Sequence, residues 1–225
     1  MQFGVAMGMT YPLLFLPSTI VGSLAMALIP DLASAHASNN YSHINSRIQT
    51  SILFSFFVAS LCIPAYIALG EPICAFLFDN IQAGTYLANS AWVMLPICVS
   101  GISMTILNSL GLEVKSMKNF IVGAVFMLIC LWFLPAYMGV ESMIVGMGGC
   151  MLITTLLNLR MIEKAVPNLK YRAKSLYLIL ITIPVTLLTQ NLYGIMSLWV
   201  PNLINIIISG GFSVVAYAFL CHLFN

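Results

Sequence analysis

The chain has 225 residues, of which 61% are hydrophobic and 6% charged, with a mean hydropathy of +1.03. Soluble domains carry about 25% charged residues, so this chain lacks the polar side chains to cover a water-soluble globule. A net charge of +2, with no basic block and no nucleic-acid-reading motif, gives no ground for a nucleic-acid partner. The sequence reads as an all-α, polytopic membrane helix bundle whose unit is the span of about 20 residues.

Seven helices are predicted, over about 3–30, 48–69, 84–110, 118–137, 142–163, 174–194 and 201–223. The first is as apolar as a span yet contains Pro12, Pro17 and Pro30. A proline inside a helix removes a backbone donor and costs roughly 3 kcal/mol in water. In lipid it is tolerated where neighbouring helices, hydroxyls or water satisfy the freed carbonyl. Thr10, Ser18 and Thr19 flank the prolines, and Gly4, Gly8 and Gly22 permit close helix contact or bending. Thr10, Pro12, Pro17, Ser18 and Thr19 are therefore candidates for a cavity-facing surface. The competing reading is a static kink whose hydroxyls bond back to their own helix. The small-residue run at 33–35 resembles a signal-peptidase site, but no Lys or Arg precedes it. The apolar run before it also exceeds the 7–15 residues of a signal core, so a mature span is expected.

A polar segment at 31–47 follows and is predicted to lie along the surface. Its His36 and His43 are seven residues apart without a thiolate or carboxylate partner, which makes a solvated linker and not a metal site. The second helix leads into 70–85, read as a loop holding a short apolar piece between Glu71 and Asp79. The third ends near Asn108, ahead of a tight turn with Lys115 and Lys118. A second turn, 135–142, separates the fourth and fifth helices. The stretch 163–174 is the most basic, with Lys164, Lys170, Arg172 and Lys174. Such a segment is drawn to anionic lipid at about 1 kcal/mol per basic residue. The last link, 193–202, is uncharged and aromatic.

The eight basic residues fall after helices one, three and five, and the other connections carry Glu71, Asp79 and Glu141 without any Lys or Arg. The positive-inside rule then places the N-terminus outside and the C-terminus in the cytoplasm. Trp132, Tyr137, Tyr193 and Trp199 fall at the predicted outer ends, where interfacial aromatics belong. An outside start without a signal peptide suggests that something upstream sets the orientation. Of the amides within spans, Asn89, Asn108, Gln190 and Asn205 fit interhelical hydrogen bonding or the orientation of a polar substrate. The six cysteines sit mostly in apolar runs without a C-x-x-C pair and read as small core hydrophobes. No carboxylate or base falls at a helix centre, so residues for ion coupling are not expected in this part. No hydrolase, zinc-protease or phosphate-loop motif is present, so no enzyme activity, metal or cofactor is expected.

Residues 12–20 read P-L-L-x-x-P-S-x-I, and 28–35 read L-I-P-x-L-A-x-A. With ALGEPICAFLFD (68–79), MTILNSLGLEVKSMKNFIVGA (104–124) and LPAYMGVESMIVGMGGCMLI (134–153), the chain resembles the MOP flippase superfamily. The resemblance is closest to its polysaccharide-exporter and stage V sporulation protein B branch. It departs in having Asn108-Ser109 where the family commonly has Gln-Gly. It implies seven of about fourteen helices, the eighth through the last. Residues 1–163 would then form part of a second six-helix lobe, and 164–225 a basic connector with the terminal helix pair. The implied activity is alternating-access movement of a lipid-linked oligosaccharide or polysaccharide precursor across the cytoplasmic membrane. Membrane lipids and a further N-terminal lobe, in the same longer chain or as a separate half, are the implied partners. Asn108 joins the cavity candidates, while Lys115, Lys118, Lys170, Arg172 and Lys174 are candidates for a cytoplasmic rim that meets substrate or lipid phosphate. Half of a drug/cation antiporter of the same superfamily and an inactive membrane fragment are the alternative readings.

Overall fold

The computed structural model describes residues 2–38, 40–166, 169–197 and 201–223. Among them, seven helices are long and apolar enough to cross a membrane. The first span comprises α1 (Gln2–Val5), a π-helical turn (Ala6–Thr10) and α2 (Tyr11–Ala37). The second is α3 (Tyr41–Phe78). The third joins α4 (Ile81–Ser90) through a 3₁₀ turn (Ala91–Val93) to α5 (Met94–Ser109). Then come α6 (Glu113–Phe133), the single turn α7 (Pro135–Met138), α8 (Glu141–Ala165), α9 (Arg172–Met196) and α10 (Asn202–Leu223).

Helix α3 is the hub, packed against α2, α4, α5, α9 and α10, while α6 is held mainly by α8, which leans on α5. Toward the basic end, Ile44, Ile48 and Ile52 of α3 meet Leu28 and Leu32 of α2, Ile102 and Ile106 of α5, and Ile162 of α8. Toward the other end, Leu14, Cys74, Leu87 and Met94 form a smaller cluster. The outer face of α6 exposes Ile121, Val122, Leu128 and Ile129, the surface a lipid-facing helix presents. At the α6–α7 end, Trp132 and Tyr137 are 83% and 89% exposed, as residues of an interfacial belt are.

The connections differ from the sequence expectation. The predicted surface connector 31–47 is mostly helix: α2 runs to Ala37, and α3 starts at Tyr41 with the Asn40 side chain accepting from the His43 N–H at 3.2 Å. Burial of Leu32, Ala35, Ile44 and Ile48 explains this, because their faces complete the core only if both helices persist. The predicted outer loop 70–85 is also largely helical. α3 continues through Pro64 and Pro72 to Phe78, and only Asp79 and Asn80 make the turn. Asp79 adopts a left-handed conformation (φ 51°), and Asn80 accepts from the Ala83 N–H at 3.2 Å. The reason lies in a close crossing of α3 and α4. A Cβ on Gly84 would lie 2.3 Å from Glu71 Cα and 2.6 Å from the Gly70 carbonyl oxygen. Contact at that range requires the segment after Gly70 to stay helical. The turn before α6 is also shorter than expected, with Gly111 at φ +72° between Leu110 and Leu112.

Candidate functional site

The proline helix shows how each interruption is accommodated. Pro17 has no N–H, so the Leu13 carbonyl loses its helical partner. The Tyr66 hydroxyl of α3 donates to that carbonyl at 2.9 Å. Pro12 would similarly orphan the carbonyl four residues earlier, and there the helix widens into the π turn. The Tyr11 N–H bonds five residues back, to the Ala6 carbonyl. Single π turns recur at functional sites because they re-aim side chains. Here the turn buries Thr10 completely and directs its hydroxyl to the Ala83 carbonyl of α4 at 3.0 Å. A third and longer bond runs from the Tyr11 hydroxyl to the Met143 carbonyl of α8 at 3.5 Å.

All three bonds lie on the bundle side. Along that face Leu14, Pro17, Val21, Leu28 and Leu32 recur at helical spacing and are buried. The opposite face exposes Pro12, Leu16, Thr19, Ile20, Ser23 and Met26. Side chains added at Gly4, Gly8 or Gly22 would meet nothing within 4 Å, so the close helix contact expected of these glycines does not occur inside this chain. The candidates therefore separate. Thr10 and Pro17 face the bundle, Pro12 and Thr19 face away, and Ser18 is half-buried between. Ser18 and Thr19 donate back to the Phe15 and Leu16 carbonyls, each at 2.7 Å, as hydroxyls in a helix do when no better acceptor is in reach. Of the three hydroxyls, Thr10 alone reaches across to another element.

At the basic end two ion pairs tie successive spans together. Asp31, directly after Pro30, accepts from Arg47 at 2.8 Å and contacts His43 at 3.0 Å. Glu163 at the end of α8 accepts a forked pair of bonds from Arg172 and one from the Tyr171 hydroxyl at 2.7 Å. Burial and this carboxylate push the Tyr171 hydroxyl well above the usual phenol range, so it remains a donor. Arg172 thus holds the α8–α9 link. Asn108, Lys115 and Lys118 are exposed and flank the turn between α5 and α6, while the Lys170 carbonyl accepts from Gln49 of α3 at 3.4 Å. Lys174 lies at the mouth of a cavity between α3, α9 and α10.

Several interactions escape sequence reasoning. Tyr66 looks like any aromatic in a span until the Pro17 gap is brought opposite it. Asn158 is fully buried, donates to Ser103 at 3.3 Å, and accepts from Asn119 at 2.9 Å, clamping α5, α6 and α8. Thr155 adds a bond to the Pro96 carbonyl at 3.1 Å. Of the amides singled out, Asn205 is buried and donates to the Tyr193 carbonyl at 3.2 Å, while Gln190 and Asn89 are exposed. Trp199 and the side chain of His36 lie outside the described residues. Among the described residues, no group of three or more His, Cys, Asp or Glu is placed to hold a metal ion. The arrangement offers a bendable helix, pinned by hydroxyls along one face and open on the other. No protein-family model matches the chain, and no curated protein matches it.

Proposed function

We propose that this chain is the C-terminal portion of an alternating-access exporter that moves a lipid-linked oligosaccharide or polysaccharide precursor across the cytoplasmic membrane. The observation that carries the reading is the one-sided attachment of the proline helix. Tyr66, Thr10 and Tyr11 secure α1–α2 to the bundle along one face, and Pro17 and Pro30 leave it bendable. Interrupted spans of this kind line the substrate path in transporters, where backbone irregularity is tolerated beside a cavity. A second lobe, in a longer chain or as a separate half, would close the cavity against the face that carries Pro12, Thr19 and Ser23. The basic end is assigned to the cytoplasm, with the N-terminus outside and the C-terminus inside. Asn108, Lys115 and Lys118 then form part of a cytoplasmic rim for the phosphates of the arriving precursor.

Thiol accessibility in native membranes tests this. Single cysteines replace Pro12, Thr19 and Ser23 on the open face and Leu14 and Val21 on the bundle face, in a chain otherwise free of cysteine. Open-face cysteines should react with a membrane-impermeant maleimide, and added lipid-linked saccharide should slow them. Reaction at these positions only with a lipid-soluble reagent would mean that the face lies against lipid, and the transport reading would fall. Slowing by a cationic drug in place of the saccharide would move the assignment to a drug antiporter.

A further inference from the structure

At the end away from the basic connections, α3 and α9 finish and α4 and α10 begin. A cavity of about 470 Å³ lies among these four helix ends. Glu71, Pro72 and Phe76 of α3, Ile81 of α4, Tyr193 of α9 and Asn202 of α10 line it. The volume falls within the roughly 300–1,000 Å³ range of small-molecule sites. Its walls are fixed by contacts between the helices. Gly70 and Gly84 bring the backbones of α3 and α4 together beside Glu71. The Thr85 hydroxyl of α4 donates to Glu71 Oε1 at 3.1 Å, while Glu71 Oε2 makes no hydrogen bond or ion pair among the described residues. Across the cavity, Asn205 Nδ2 donates to the Tyr193 carbonyl at 3.2 Å, which ties the end of α9 to the start of α10.

The charge of the site is negative. Among the described residues, no Lys, Arg or His lines the cavity, and Asp79 in the adjoining turn adds a second carboxylate nearby. Arg47, the basic residue of the same helix, lies about 36 Å from Glu71 at the helical rise of 1.5 Å per residue. That is several times the ~8 Å over which physiological salt screens an exposed charge. Two helices end here and two begin, so their terminal partial charges oppose one another and the carboxylate sets the sign. The rings of Phe76 and Tyr193 add faces of the kind that attract cations. One carboxylate and one amide supply too few oxygens for a calcium or magnesium ion. A carboxylate beside aromatic and aliphatic surface fits instead an ammonium group on an apolar body. We propose that this cavity binds a small protonated amine, its ammonium hydrogen-bonded to Glu71 and Asn202 and its apolar body against Phe76, Tyr193 and Ile81. None of the lining residues belongs to α1–α2. The proposal rests on the fold and its charges and not on the transport reading, so either can fail alone.

The test is equilibrium dialysis of the full chain in nanodiscs of zwitterionic lipid, with radiolabelled phenethylamine as the probe. At neutral pH one phenethylammonium ion per chain should bind about tenfold more tightly than 2-phenylethanol, the worth of one hydrogen bond to a charged group. Glu71→Gln can still accept from Thr85, so the α3–α4 crossing is kept, but that tenfold preference should be lost. Glu141→Gln removes an equal charge at the same end of the bundle, on α8, and should change nothing. Ile81→Trp, at a position 64% exposed, should fill the cavity and abolish binding while the chain keeps its thermal midpoint. Equal binding of the amine and the alcohol would leave only an apolar groove, and displacement by an equal concentration of sodium would leave an inorganic-cation site. Either overturns the proposal. So would an undiminished preference in Glu71→Gln, equal losses in the two glutamate variants, or full binding by Ile81→Trp.

Discussion

The Tyr66–Leu13 bond offers a direct measurement of what holds an interrupted helix to its bundle. Tyr66→Phe keeps the ring and removes the hydroxyl that donates at 2.9 Å to the carbonyl orphaned by Pro17. Leaving a buried carbonyl without a donor costs about 1–3 kcal/mol. Interhelical hydrogen bonds in membranes average nearer 0.6 kcal/mol, with a maximum near 1.7, because the unfolded chain in lipid finds other partners. This carbonyl has no helical donor to fall back on, so the expected loss is toward the upper end, about 1.5 kcal/mol. Pro17→Ala supplies the missing N–H, after which Tyr66→Phe should cost only about 0.5 kcal/mol, the low end for a hydrogen bond that is not needed to satisfy its acceptor. A double-mutant cycle, read by reversible unfolding in mixed micelles, isolates that coupling of about 1 kcal/mol. If Tyr66→Phe costs the same in both backgrounds, the hydroxyl does not compensate for the proline, and the one-sided pinning of α2 must have another cause.

Two further substitutions probe the packing. Gly84→Val places methyl groups where even a Cβ would lie 2.3 Å from Glu71 Cα, so α3 and α4 must separate. A loss of at least about 3 kcal/mol is expected, the upper range for overpacking against backbone, seen as a large fall in thermal midpoint or in the yield of folded protein. Asn158→Leu removes the amide shared by Ser103 and Asn119 and should destabilise by about 1–2 kcal/mol. In the same unfolding assay Asn119→Ala should cost less, because the Asn158 amide keeps its bond to Ser103.

The class of the protein and its seven spans were legible from composition and hydropathy, because a chain with 6% charged residues has no soluble way to hide its apolar surface. Connections were less legible. The polar run of 31–47, and Gly70, Pro72 and Gly84 within 70–85, locally signal breaks, yet both segments continue largely as helix because Ile44, Ile48 and Cys74 complete cores formed by distant residues. The candidate site was half legible. Three prolines in one apolar run announced that freed carbonyls needed partners, and the hydroxyls beside them were the obvious local suppliers. Ser18 and Thr19 instead satisfy carbonyls of their own turn, and the donor to Leu13 is Tyr66, 53 residues away.

Sequence alone therefore determined that the chain spans a membrane, how many times, and that its cations collect at one end, since each follows from transfer free energies read residue by residue. Which face of the proline helix is fastened was decided only in three dimensions. So were the burial of Asn158 and the opening of a cavity between α3, α9 and α10. These depend on which helices become neighbours and at what rotation, and that is fixed by close crossings such as Gly70 on Gly84, where shape over a few ångströms selects one packing.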